Sequence, residues 1–365
     1  MPNPLYGSNK LKFGVFGSNL GGGCAATTAP GTLEVGWPAT LRIAQIADQA
    51  GVEALVPVAR WKGFGGLTDF NGQSFETYTW AAGLGSQTKN IAVFATSHVP
   101  TVHPIVAAKQ ATTIDHITNG RFALNVVCGW FEPEFAMFGR SLMDHETRYE
   151  YAAEWLEVIV KLWTCEDEFD FHGRFFDVER GFHQPKPIHK PYPPIMNAGR
   201  SGAGNRFAAK YSDMIFTSLW EHDHAGSAER VAELRRLAAE HGRQVQVWTT
   251  GFGICRPTEQ EARDYHRYVV DEMGDWEAVS NVIKIQRLDD PNAPEEEKRA
   301  MKGRLIAGFG GHPLIGTAEQ ITEKLVGLSE AGIDGIVMSW VNYEEELQQW
   351  IDEVFPLLRQ AGLRQ

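Results

Sequence analysis

The sequence predicts an α/β protein, a (β/α)8 TIM barrel with insertions that spans residues 1–365 as one domain. Three observations carry that reading. Short apolar runs alternate with helix-period segments along the whole chain. The runs are apolar at nearly every position, the pattern of parallel strands buried on both faces. The turn after the first run, GSNLGGGC (17–24), lacks both the GxGxxG spacing and the directly following helix of a doubly wound nucleotide fold. Eight such units close a barrel more readily than they extend an open sheet.

The elements follow in order. KFGVFG (12–17) is the first strand, and 34–50 a helix with Leu41, Ile43, Ala44, Ile46 and Ala47 on one face, ended by Gly51. VEALVPV (52–58) precedes a helix over 74–88, and IAVFATS (91–97) one over 104–118 that stops at Asn119-Gly120. RFALNVVCG (121–129) leads to a long helix over 145–163. PPIMNAG (193–199) and DMIFTS (213–218) flank a helix at 201–211. A helix at 226–241 precedes VQVWTTGFGIC (245–255), and 258–273 is helical. IDGIVMSW (333–340) is the last strand, between helices at 317–331 and 344–360. Two segments break the pattern. Residues 166–194 alternate apolar and polar around His172-Gly173 and read as a hairpin with a Pro-rich return. Residues 276–312, polar and Gly-bearing, are too long for an ordinary connection and read either as a lid over the barrel mouth or as an insertion without function.

Composition bounds the function. The net charge of −12 argues against nucleic acid and against an anionic membrane surface, since both are bound by clustered Lys and Arg. Cys24, Cys128, Cys165 and Cys255 form no CxxC, which argues against a disulfide framework or a zinc ribbon. There is no HExxH, GxSxG or GxxxxGK[ST], so no metal, serine-hydrolase or P-loop chemistry is expected. The N-terminal MPNPLYGSNKLKF has no basic stretch followed by an apolar core, so the expected location is the cytoplasm.

In such a barrel the active site lies at the C-terminal ends of the strands. NAGRSGAGNR (197–206) runs from a strand through a Gly/Ser turn into a helix. Free backbone N–H groups at the Gly199 turn make an anion site, to which Ser201 can add a hydroxyl donor and Arg200 or Arg206 a charge, or simply a capped helix with flexible glycines. Asn125 sits mid-strand among apolar residues, and a buried amide needs a partner, from the core or from a ligand. Glu132 and Glu134 follow in a loop, and Arg148 and Tyr149 begin the next helix. RWKGFGG (60–66) reads as a mobile loop at the mouth. Arg60, Trp61, Phe64, His98, Trp130 and Phe131 would make that mouth aromatic and weakly cationic, suited to a heterocycle, an amide or a sulfone.

Several blocks together resemble the bacterial-luciferase-like superfamily of two-component flavin monooxygenases. They are AAKQATTIDHITNGRFALNVVCGWFEPEF (107–135), HETRYEYAAEWLEVIVKLW (145–163), FHGRFF (171–176), PPIMNAGRSGAG (193–204), IGTAEQITEKL (315–325) and AGIDGIVMSW (331–340). RWKGFGG and FATS are most similar to the pyrimidine oxygenase branch, and NVVCGWF to the dimethylsulfone monooxygenase branch. The resemblance implies reduced FMN, supplied by a separate NAD(P)H:flavin reductase, with dioxygen as co-substrate and a homodimer or homotetramer. It implies that Ala59 and Arg60 lie along the flavin ring, that Asn125 and Glu134 hydrogen-bond it, and that Arg148, Tyr149 and Ser201 hold its ribityl phosphate. Thr96 and Asn125 match the polar pair that the pyrimidine branch places beside dioxygen, which implies an N5-peroxide as in that branch, with the C4a-peroxide of most relatives as the alternative, and Val56 and Val58 line the same pocket. The chain departs from the pyrimidine branch at SHVPTVHP (97–104), where two histidines replace an apolar, Thr-rich run. A deazaflavin-dependent dehydrogenase and a non-catalytic flavin-binding protein are the rival readings.

Overall fold

A computed structural model describes residues 3–219, 224–288, 290 and 292–365. Eight parallel strands close a barrel: β1 Lys12–Phe16, β2 Ala54–Val56, β3 Ala92–His98, β4 Phe122–Val127, β7 Ile195–Asn197, β8 Met214–Phe216, β9 Gln246–Cys255 and β11 Gly335–Ser339. Each pairs with the next, and β11 pairs with β1 to complete the ring. A further strand, β10 (His312–Gly316), pairs in parallel with the second half of β9. It was not expected from the sequence, because HPLIG is short and weakly apolar.

Side chains alternate across each strand, which sorts them into two cores. Leu55, Val93, Leu124 and Ile336 face outward and pack with Trp80, Trp155, Leu156 and Trp163 of the surrounding helices. Ala54, Val56, Ala92, Phe94, Ala123, Met196, Met214, Trp248 and Val337 face inward and fill the barrel. Leu5 plugs its lower end, where Gln246 donates to the Leu5 carbonyl at 2.8 Å. Helix ends follow local chemistry. Asp144 caps His145–Thr164, and capping boxes start Glu259–Arg267 and Ala318–Glu330. Asn119 ends Pro104–Thr118 in the left-handed conformation.

The insertions differ in kind. Within 166–194, β5 (Phe169–His172) and β6 (Asp177–Gly181) form an antiparallel hairpin. The 276–312 segment contains the helices Trp276–Gln286 and Glu295–Gly308; residues 289 and 291 lie outside the described residues. Ala278, Val279, Val282, Ile283, Leu305 and Ile306 are buried there against Phe64, Phe70, Phe131 and Phe252. Its polar DDPNAPEEEKR centre masks two apolar helix faces, which is why the sequence reads as irregular. Two other boundaries also shift. Glu132 and Glu134 lie on a short helix, Glu132–Met137, rather than in a loop, and the expected 344–360 helix is interrupted by a π-turn at Trp350–Val354.

Candidate active site

Above the apolar barrel filling, the inward-facing positions change character. Continuing the alternation brings Phe16, Val58, Thr96, Asn125, Phe216, Thr250 and Ser339 to the C-terminal mouth. Phe16, Val58, Phe216 and Thr250 are only half-buried although they point inward, so the barrel opens into a cup at this level. The wall of that cup is apolar on the β1 and β8 sides and polar where β3 meets β4.

Thr96 and Asn125 stand in register on adjacent strands. The Asn125 amide donates to Thr96 Oγ1 at 3.1 Å, and the Thr96 hydroxyl donates to the Pro57 carbonyl. The Thr96 proton is therefore committed to the backbone, and Thr96 orients the amide. Asn125 Oδ1 is buried without a partner. An orphaned buried acceptor costs about 1–3 kcal/mol, which marks it as a ligand position.

The turn after β7 is tightly built. Gly199 N–H donates to Asn197 Oδ1 at 2.9 Å, and Ser201 caps the Gly202–Tyr211 helix by accepting from Gly204 N–H at 3.1 Å. A Cβ on Gly199 would lie 2.6 Å from Gly204 Cα, so only glycine permits this approach. Arg148 donates to the Gly129 carbonyl and leaves Nε buried without a partner. The Tyr149 hydroxyl lies 2.6 Å from where a Gly204 Cβ would be, beside the Ser201 side chain. Arg200 is exposed at the turn. A helix N-terminus and two hydroxyls, those of Ser201 and Tyr149, thus meet at this turn, with Arg148 next to Tyr149 in the chain; such donors suit an anion.

A third group was not foreseen as a unit. Glu134, fully buried, accepts at Oε1 from Arg60 Nη1 at 3.3 Å, Trp61 N–H at 2.6 Å and Lys62 N–H at 3.3 Å. Its Oε2 lies 3.3 Å from His98 Nδ1, off line for a hydrogen bond, so both atoms lack a partner. The Arg60 guanidinium stands 4.7 Å over the Phe64 ring, 5.1 Å over Trp130 and 5.6 Å over Phe131. Burial and the Arg60 charge push His98 down to about 3, so its imidazole is neutral and this contact is not an ion pair.

These placements revise the sequence expectations. Glu134 and Arg60 brace the 60–66 loop; Oε2 of Glu134 faces His98, and Arg60 Nε is buried without a partner. That loop is held on a second side, where Asn281 donates to the Phe64 carbonyl at 2.8 Å and Asp275 accepts from Thr68. Phe64 is buried within the aromatic cluster rather than facing the pocket, and Val56 sits one layer below the mouth in the barrel core. Val58 and Trp130 are half-buried, and Ala59 lines a cavity of about 20 Å³ with Arg60, Thr96 and His98. The sequence reading missed Phe16, Phe216 and Thr250; counting two residues up each strand from the inward set would have found them. Among the described residues no cluster of His, Cys, Asp or Glu is arranged to hold a metal ion, and no helix is long and apolar enough to cross a membrane.

A closed parallel barrel whose C-terminal mouth carries a buried polar pair and a glycine-tight helix start has the layout of a barrel enzyme. The family model for luciferase-like monooxygenases matches residues 12–335, and the chain belongs to that family. It is 31% identical over 360 residues to an FMNH2-dependent dimethylsulfone monooxygenase of Pseudomonas putida, covering 97% of this chain and 96% of that one. It is 28% identical over 326 residues to a pyrimidine monooxygenase of Acinetobacter baylyi, covering 87% and 86%. Among solved structures, a riboflavin lyase with modified FMN and riboflavin superposes with a TM-score of 0.85 at 21% identity, covering 98% of this chain and 93% of that one. That last likeness bears on the fold alone.

Proposed function

We propose that this protein is an FMN-dependent monooxygenase that takes reduced FMN from a separate NAD(P)H:flavin reductase and places one oxygen atom of dioxygen on a small organic substrate. The observation that carries the reading is the Thr96–Asn125 pair, with Asn125 Oδ1 unpartnered, facing the same mouth as the Ser201 turn. The chain's residues fit FMN. Ser201, Tyr149, Arg148 Nε and the first turn of Gly202–Tyr211 suit its phosphate. The half-buried Val58, Phe16 and Phe216 suit an apolar ring, and the Asn125 amide suits the ring's polar edge.

Bound reduced FMN supplies the electrons that activate dioxygen. The protein supplies placement and field. Thr96 accepts from the Asn125 amide and donates to Pro57 O, so the amide is held in one orientation with its second N–H free. A donor fixed before charge develops stabilises that charge without reorganisation. Val58, Phe16 and Phe216 keep water from the amide, which strengthens its hydrogen bonds. The insertion helices pack over the 60–70 loop as a fixed cap and narrow access from that side.

Two measurements test the reading. FMN is expected to bind at least about tenfold tighter than riboflavin, since a charged phosphate contact contributes about 1.5–3 kcal/mol. With a generic flavin reductase and ¹⁸O-labelled dioxygen, a panel of heterocycles, amides and sulfones is expected to yield a product carrying one labelled oxygen. Equal affinity for the two flavins, or reduced FMN consumed with no label in any product, would defeat it.

A further inference from the structure

His98 is a buried imidazole at the mouth that the proposed flavin contacts leave without a role. It stands two residues beyond Thr96 on β3, on the same side of the strand and about 7 Å further out along it. It is 5% exposed, and its neighbour Glu134 is 0% exposed. Glu134 Oε1 already receives three donors, so the carboxylate presents an acceptor at Oε2, 3.3 Å from His98 Nδ1. A neutral imidazole carries one proton: a lone pair on Nδ1 would face the Glu134 carboxylate at 3.3 Å and be repelled, whereas a proton there is attracted to it even off line, so charge and not a formed hydrogen bond favours the Nδ1–H tautomer. With the proton on Nδ1 toward Glu134, Nε2 carries the lone pair. Nδ1 is among the buried unpartnered atoms and Nε2 is not, while no protein group donates to Nε2 among the described residues; Nε2 therefore reaches open space. His98 also lines, with Ala59, Arg60, Thr77, Tyr78 and Thr96, a cavity of about 20 Å³, room for one water. The stretch SHVPTVHP (97–104) carries two histidines, of which His98 is the first. The other histidine of that stretch, His103, serves locally, capping Pro104–Thr118 by accepting from Ile105 N–H at 3.3 Å.

We propose that His98 selects the substrate, accepting at Nε2 a hydrogen bond from a substrate N–H, so that the substrate class is an N–H-bearing amide, lactam or N-heterocycle rather than a sulfone. Glu134 is the positioning residue that sets the tautomer, and Arg60 with the Trp61 and Lys62 amides holds Glu134 in place. The inference rests on the oxygenase reading, because it places the N–H one step outward from the Thr96–Asn125 pair.

The test uses FMN-loaded full-length protein and reads ligand binding from the change in flavin absorbance, without turnover. The probes are five- and six-membered lactams and pyrimidinones, each with its N-methylated twin, and dimethyl sulfone. At least one N–H probe is expected to bind at least about tenfold tighter than its twin, the size of a hydrogen bond lost in a dry pocket. In His98→Phe the ratio is expected to fall to about twofold or less, and in His98→Gln, whose side-chain oxygen can still accept, to recover in part. A ratio unchanged in His98→Phe, dimethyl sulfone as the tightest ligand, or no binding by any N–H probe overturns the assignment. If His98→Phe fails to fold, the wild-type ratio and His98→Gln still decide. FMN affinity unchanged by the substitutions while selectivity is lost separates His98 from the cofactor site. Failure of the wild-type protein to bind FMN would sink the oxygenase reading instead.

Discussion

At the scale of single residues, the mouth is governed by which buried polar atoms are already satisfied. Thr96 spends its proton on Pro57 O, whereas Asn125 keeps one N–H and Oδ1 for a ligand. The two substitutions should therefore differ. Asn125→Ala is expected to lower coupled product formation about 100- to 1000-fold, the effect of removing a fixed donor from developing negative charge. Thr96→Val is expected to cost about tenfold, because the amide remains and only its orientation loosens. Equal losses, measured as labelled product per reduced FMN consumed, would contradict this division.

Buried histidines make a second residue-scale prediction. Burial with the nearby Arg60 pushes His98 down to about 3, and burial with Lys109 and Lys186 pushes His183 down to about 4. An unfolded histidine takes up a proton near pH 6.5, and these folded ones do not. The unfolded state therefore binds more protons below pH 6.5, and stability falls as pH falls, down to about 4 for His183 and about 3 for His98. Each contributes at most ~1.4 kcal/mol per pH unit. Urea midpoints at pH 7, 6 and 5 measure the slope. His183→Asn is expected to flatten it, and an unchanged slope would show that His183 is not neutral in the fold.

At the scale of elements, the turn after β7 depends on two glycines in contact. Within an ordinary helix, Gly→Ala gains up to about 1 kcal/mol. Gly204 reverses that sign, since an added Cβ would lie 2.6 Å from the Tyr149 hydroxyl and 2.7 Å from Gly199 Cα. Gly204→Ala is expected to lower the melting temperature by several degrees and to weaken FMN about tenfold, with riboflavin affinity little changed. Paired thermal melts with each flavin measure both. The turn was legible in NAGRSGAG because strand, small residues and helix succeed one another there. The Arg60–Glu134–His98 group was not, because its members come from a loop, a short helix and a strand end, separated by 38 and 36 positions, and only closure of the barrel brings them together.

At the scale of the molecule, the insertion over 276–312 shares a buried cluster with the mouth loop of the barrel. Ile306 is fully buried, its carbonyl accepts from Ala26 N–H at 2.8 Å, and the same cluster contains Phe64 and Phe70 of the mouth loop. Ile306→Ala is expected to destabilise the whole protein by about 2–5 kcal/mol in a single transition. Coincident unfolding curves by tryptophan fluorescence and circular dichroism would show it; an early transition confined to part of the signal would mean that the cap unfolds separately.

The amino-acid order alone determined the architecture, since apolar runs at strand length alternating with helix-period segments have few other ways to bury their faces. It also determined that Asn125 and the 199–201 turn are unusual, because a buried amide and a glycine-rich helix start are local departures from pattern. Tertiary structure alone decided that Thr96 is an orienting group, that Phe64 and Val56 belong to packing, and that His98 meets Glu134. Those outcomes depend on register between strands and on which lone pair is already occupied, and both arise only when distant segments are brought within hydrogen-bond range.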